Sequence, residues 1–356
     1  MAENNLTFKE YKSFVKHKTL VISALILAVL VMVLVAIVTG SSGISSIDVI
    51  KTLFGAGTKQ SNIIVFDMRL PRVLTAIFVG AALAMAGAVM QSVLRNPLAS
   101  ASTLGVSQGA AFGAALGIIV FEAGVQNSTS AASAVVINNP YIVTICAFIG
   151  GSISTVIVLL LSRLKSLSPE SLILAGVALS SLFSGGSALL QYFAADVQVA
   201  AVVFWTFGDI GRTSKNEILI VALCTIAAFI YFMFNRWNYN ALGSGKHTAK
   251  SLGVDVNQTI LVSMAVCSLI SAIGVAFVGI ISFVGLVAPH LMRIFVGNDY
   301  RFLIPSSALC GALILLMADT FGRLIVSPVI LPIGAITSFL GAPMFLYLLF
   351  KGASKA

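Results

Sequence analysis

"VLTAIFVGAALAMAGAVMQSV", residues 73–93, holds no charged side chain and no proline. A helix needs about 20 apolar residues to cross the hydrocarbon core of a bilayer, and this run is long enough. The rest of the chain has the same character. Of 356 residues, 58% are hydrophobic and only 9% charged, with a mean hydropathy of +1.04, whereas a soluble domain carries roughly 25% charged residues. Apolar segments lie near 20–39, 71–93, 103–121, 141–162, 171–193, 216–234, 258–281, 283–297, 302–321 and 333–350. They predict an all-α polytopic membrane protein of about ten transmembrane helices, some short or broken. The eighth, 283–297, is too short to cross fully. The expected organisation is an N-terminal segment 1–19, a membrane domain 20–350 and a tail 351–356, with 235–257 as the long polar connection within the domain. The first apolar run exceeds the 7–15 residues of a signal-peptide core, so it reads as a retained span.

Charge sets the expected orientation. The net charge of +9 is scattered over short loops, which argues against a nucleic-acid partner. With ten crossings, fourteen of the 21 Lys and Arg residues fall on one side, among them Lys12, Lys16, Arg95, Arg236 and Lys246. The other side holds seven, including Arg69, Arg72, Arg212 and Arg323. The excess marks the cytoplasmic side, so both termini and 235–257 are expected inside a multi-pass cytoplasmic membrane protein. Cys146, Cys224, Cys267 and Cys310 lie in apolar segments without a C-x-x-C pair and read as small buried hydrophobes. Gly105, Gly109, Gly113 and Gly117 recur every four residues, a bare face for close helix packing.

Several motifs look chemical and fail on spacing. "LGSGKHTAKSLGVDV" (242–256) has part of a phosphate loop, but Asn240 stands where the first glycine belongs and His247 follows the lysine. "GVSQG" (105–109) lacks the strand and histidine partner of a nucleophile elbow. Asp319, inside the ninth span, has Arg323 four residues on and reads as a same-face ion pair. A proton relay there is the alternative, and with it a proton-coupled secondary transporter. Three stretches resist an ordinary reading. "RLPR" (69–72) sets two guanidinium groups three residues apart, suited to an acidic partner. "RNPLAS" (95–100) breaks the chain after the second span, because the residue before proline avoids helix. "GLVAPHLMR" (285–293) interrupts an apolar run with Pro289 and His290, as transport sites often do.

At these residues the chain resembles the permease family that imports ferric siderophores, haem and vitamin B12 through ATP-binding-cassette (ABC) transporters. "RLPR", "GAALAMAGAVMQSVLRNPLA" (80–99), "LGVSQGA" (104–110), "LAGVALS" (174–180), "ALGSGKHTAKSLGV" (241–254), "FVGLVAPHLMR" (283–293), "PSSALCGALILLMADTFGR" (305–323) and "LPIGAITSFLGAPMFLYLL" (331–349) follow in the family's order over nearly the whole chain. The resemblance implies a homodimer that carries a metal chelate, a ferric siderophore first, otherwise haem or a corrinoid. An extracytoplasmic binding protein would deliver it and two cytoplasmic ATPases would drive transport. This chain would be non-catalytic and bind no cofactor; ATP and Mg would belong to the ATPases. The ATPase-coupling loop corresponds to Ala241, Leu242, Gly243, Ala249, Leu252, Gly253 and Val254, with Leu242 and Leu252 expected to plug an apolar groove of the ATPase. Arg69, Arg72 and Arg323 correspond to the binding-protein docking residues. Asn96, Pro97 and Leu98 correspond to the inner gate, and Pro169 and Glu170 to a second one. Ser107 and Gln108, with Met85, Met90 and Ser92, are expected to line the path. The chain departs from the family at Ile330, commonly acidic, and at Asp209, commonly serine.

Overall fold

A computed structural model of the protein describes residues 8–40, 44–123, 139–164, 169–326 and 329–353, and their regular structure is entirely helical. Helix α1 (Phe8–Val38) leads to α2 (Ser46–Leu53) and α3 (Lys59–Asn62), which passes through a π-helical stretch, Ile63–Arg69, into α4 (Leu70–Val93). α5 (Val106–Ala115) ends in a second π-helical stretch, Leu116–Val120, and is followed by α6 (Pro140–Leu164), α7 (Pro169–Tyr192), α8 (Asp196–Thr206) and α9 (Lys215–Phe234). Two short helices, α10 (Arg236–Gly243) and α11 (Lys246–Ser251), precede α12 (Val256–Val278), α13 (Val284–Val296), α14 (Tyr300–Leu324) and α15 (Ile333–Ala353).

Each of the ten expected segments coincides with a helix. Seven helical segments are long and apolar enough to cross a membrane: α1, the rod from Lys59 to Val93, α6, α7, α9, α12 and α14. Two boundaries differ from expectation. The segment 1–19 is not separate from the first span, because α1 is already helical at Phe8; residues 1–7 and 354–356 lie outside the described ones. α8 lies outside the ten expected segments because its eleven residues fall below spanning length.

α4 is the innermost helix, packed on α9, α12, α13 and α14. Glycine permits this. A Cβ on Gly80 would sit 2.5 Å from the carbonyl oxygen of Gly311 on α14, and one on Gly87 would overlap the backbone of Gly285 on α13. The α5 glycine face works in the same way: Gly109 lies on Gly150 of α6 and Gly113 on the carbonyl of Cys146. Close backbone approach replaces the hydrophobic drive that lipid does not supply. Gly113→Leu is therefore expected to cost about 1–3 kcal/mol through overpacking. Thermal unfolding in detergent measures this, with Gly185→Leu on α7 as the control, since nothing lies within 4 Å of a Cβ there.

Candidate functional site

The turn expected to form the inner gate, Asn96 to Leu98, begins where α4 stops. Arg95 takes a left-handed conformation (φ 47°), and the Asn96 N–H donates to the Gln91 carbonyl at 3.2 Å, five residues back. This is a Schellman closure with arginine at the position glycine normally fills. The Leu98 N–H then donates to Asn96 Oδ1 at 2.8 Å, fixing an Asx turn across Pro97. The helix therefore ends at Val93 through Arg95, ahead of the break that Pro97 alone predicts.

α13 shows how its proline is accommodated. Pro289 sits inside the helix without interrupting it, contrary to the sequence expectation. Having no N–H, it leaves the carbonyl four residues back, Gly285 O, without a helical donor. The Gln91 amide of α4 donates to that oxygen at 3.4 Å, while Gln91 Oε1 accepts from Arg293. One glutamine thus fills the gap in α13 and orients its arginine. The irregular backbone lies earlier, between α12 and α13, where Gly279 (φ 83°) and Phe283 (φ 64°) both take positive φ.

The α10–α11 pair is fixed to the bundle by a few side chains. Tyr239 is fully buried, with its hydroxyl 3.0 Å from Ser263 Oγ of α12, its carbonyl accepting from Ser92 Oγ of α4 at 3.4 Å, and its ring 5.7 Å from that of Tyr300 on α14. Asn240 donates to Asp299 at 3.0 Å and accepts from the Tyr300 N–H at 2.8 Å. Burial pushes the Asp299 carboxyl up, but hydrogen bonds from Arg301 and Asn240 outweigh it and hold the group below the usual carboxylate range. α11 closes in another Schellman motif: Gly253 has φ 82°, and the Val254 N–H reaches the Ala249 carbonyl at 3.0 Å. That closure presents Leu252 to solvent, 68% exposed. Leu242 and Ala249, expected on the same surface, are buried within the chain because they carry the contacts that seat the pair. Gly243 is an ordinary helical residue; the turn between the two helices uses Gly245 (φ 116°).

These three segments, separated in sequence, meet at one polar cleft of about 490 Å³. The end of α4 contributes Gln91, Ser92, Arg95, Asn96 and Pro97; α10 and its turn contribute Asn240, Gly243 and Ser244. His290, Arg293, Asn298 and Tyr300 complete the wall.

The three arginines expected on the docking surface occupy the opposite end of the bundle, and their side chains point inward. Arg72 Nε lies 2.6 Å from Asp319 Oδ1 and Arg323 Nε 3.0 Å from Asp319 Oδ2, so one carboxylate bridges two guanidinium groups. The expected Asp319–Arg323 pair is present, and Arg72 is the partner the sequence did not reveal. Arg323 also donates to the carbonyls of Thr39 and Ala36, and Arg69 to those of Ile37 and Val38 at 2.7 and 2.9 Å. These carbonyls close α1, which has no basic residue of its own in the last turn. Arg69 and Arg323 are only 5% exposed, each held against the carbonyls at the end of α1. Arg72 also meets Asp209 at 3.3 Å, which gives the Asp209 departure a local purpose.

A model of the FecCD transport family matches residues 26–351. The chain belongs to the FecCD transport family. It is similar to an ABC transporter permease protein of Methanocaldococcus jannaschii, 52% identical over 96% of this chain and 97% of that one. The Fe(3+)-citrate import system permease of Bacillus subtilis is 35% identical over 96% and 98%. The hemin transport system permease of Yersinia pestis is 35% identical over 92% and 96%. Among solved structures, an inward-facing metal-chelate type ABC transporter matches with TM-score 0.78 and 29% identity, over 94% of this chain and 99% of that one.

The other expected path residues of this FecCD chain are not gathered at the cleft. Met85 and Met90 are fully buried between helices of this chain. Ser107 is buried with its hydroxyl 3.1 Å from Ser102 Oγ, and Gln108 is half-buried beside it on α5. Leu98 is 40% exposed beside the cleft mouth. Pro169 and Glu170 begin α7, and their side chains lie outside the described residues.

Proposed function

We propose that this chain is the permease subunit of an ABC importer, paired with a second copy and moving a metal chelate inward by alternating access. The chelate is a ferric siderophore by first preference, with haem or a corrinoid next, given the named cargoes of its relatives. A binding protein delivers it outside, and two ATPases that hold ATP and Mg drive the cycle from the cytoplasm. Both termini and α10–α11 face the cytoplasm on this reading, supported by the two-to-one bias of Lys and Arg. Proton coupling through Asp319 has no support, because that carboxylate is spent on Arg72 and Arg323.

The observation that carries the proposal is the α10–α11 pair. Its inner side is locked to α4, α12 and α14 through Tyr239 and Asn240, and its outer side offers Leu252 to a partner. A push on α11 would pass through α10 to Ser92 of α4, four residues before Asn96. Energetically this is a two-state element biased by the nucleotide state of the partner.

Leu252→Asp tests it. Placing a charge in an apolar contact is expected to lower co-purification of the ATPase, or substrate-dependent uptake in proteoliposomes, at least about tenfold. Because Leu252 is exposed, the isolated permease should unfold at an unchanged temperature. Undiminished uptake and association would exclude α11 as the docking surface.

A further inference from the structure

The two ends of the bundle treat arginine differently. At the α14 C-terminal end, buried guanidinium groups meet the Asp319 carboxylate or the closing carbonyls of α1. The cleft at the α10 end does not follow this rule. Its wall carries Arg95, Arg293 and His290 and no acidic side chain. Arg293 is half-buried, and the hydrogen bond it makes goes to the neutral Gln91. Among the described residues, no carboxylate lies within ion-pairing distance of Arg95 or Arg293. Asp299 borders the cleft through Asn240, but Arg301 grips it with contacts of 2.6 and 2.9 Å, so its charge is already consumed. Arg95 is exposed and Arg293 half-buried, and with no protein carboxylate beside either, both are open to an anion entering the cleft.

We infer that this cleft binds a small oxyanion, a di- or tricarboxylate or inorganic phosphate, between Arg95 and Arg293. Further donors are in place. Asn96 uses its Oδ1 to close the gate turn, which leaves its amide N–H groups for the cleft, and Ser244 and His290 stand on the facing walls. Gln91 holds the Arg293 guanidinium from behind, so little side-chain freedom is lost on binding. The volume of about 490 Å³ accommodates a tricarboxylate with water around it. Such an anion would bridge the gate turn, α13 and the α10 turn, and so favour the arrangement in which they lie together. Binding does not depend on the direction of transport or on any partner, so it can fail without overturning the importer reading.

The test is calorimetric titration of the purified full chain in detergent with citrate, and separately with inorganic phosphate, at ionic strength held constant with chloride. Saturable binding of either anion at one site per chain, with half-saturation at or below about 1 mM, is expected; the tighter of the two identifies the chemistry. Arg95→Gln, an exposed change that leaves the fold alone, and Arg293→Gln should each weaken it about tenfold or more. The anion-free unfolding temperature of each variant checks that it is folded. Absence of saturable binding by both anions overturns the proposal, as does equal binding by wild type and Arg95→Gln. If neither anion binds but Arg95→Gln loses association with the ATPase, the cleft receives a partner's acidic side chain instead, and the free-anion site is likewise excluded.

Discussion

Asp319→Ala is expected to be the most damaging single substitution at the α14 C-terminal end, costing about 3–5 kcal/mol. The side chain is 2% exposed and is shared by Arg72 and Arg323 at 2.6 and 3.0 Å. Removing it leaves two guanidinium groups buried against each other with their main counter-charge gone. At that cost the folded-to-unfolded ratio falls by a few hundredfold or more. The check is denaturant or thermal unfolding in detergent, together with the yield of folded protein. Asp319→Asn keeps the shape and two acceptor lone pairs but not the charge, so it should fall between Ala and wild type. Arg72→Gln should cost less than Asp319→Ala, because Arg323 still satisfies the carboxylate. If Asp319→Ala unfolds like wild type, the bridge of Arg72 and Arg323 through Asp319 contributes nothing to stability.

Tyr239→Ala should have a comparable effect at the other end, about 3–5 kcal/mol for deleting a fully buried ring. Its consequence is more specific, because Tyr239 is the contact through which α10 touches α4, α12 and α14 together. Tyr239→Phe keeps the ring and removes the hydroxyl contact to Ser263, and should cost only about 1–3 kcal/mol for the buried hydroxyl left behind. In reconstituted transporter the Phe variant should couple ATP hydrolysis to uptake. The Ala variant, where it folds, should hydrolyse ATP with uptake lost. Equal uptake per ATP in the Ala variant and wild type would show that the force enters the permease elsewhere.

The helices were legible in the sequence because lipid demands long apolar runs, and those leave a strong signal. The close packing of α5 was also legible, since Gly109 and Gly113 recur at helical spacing and contact the backbone of α6. What the sequence concealed was the direction in which side chains point. Arg69, Arg72 and Arg323 look like surface arginines until Asp319 and the end of α1 are seen beside them. Asp319 lies 247 residues from Arg72, and no local pattern encodes that pair. Leu242 and Leu252 look equivalent in the loop, yet the Schellman turn at Gly253 leaves one outward while the other faces the core. Pro289 reads as a break because its rescue comes from Gln91, 202 residues from the Arg293 that completes the same link. The cleft itself follows from such distant meetings, so its separate pieces are marked in the sequence while their convergence is not.

The proline rescue has a mechanical consequence. Gln91 bonds α4 to α13 on both sides of Pro289, and Gly87 lets the two backbones touch one turn away. The pair therefore behaves as a single beam. On the alternating-access proposal, bending of this beam would be absorbed at 279–283, where the chain lacks helical hydrogen bonds and Gly279 and Phe283 take positive φ.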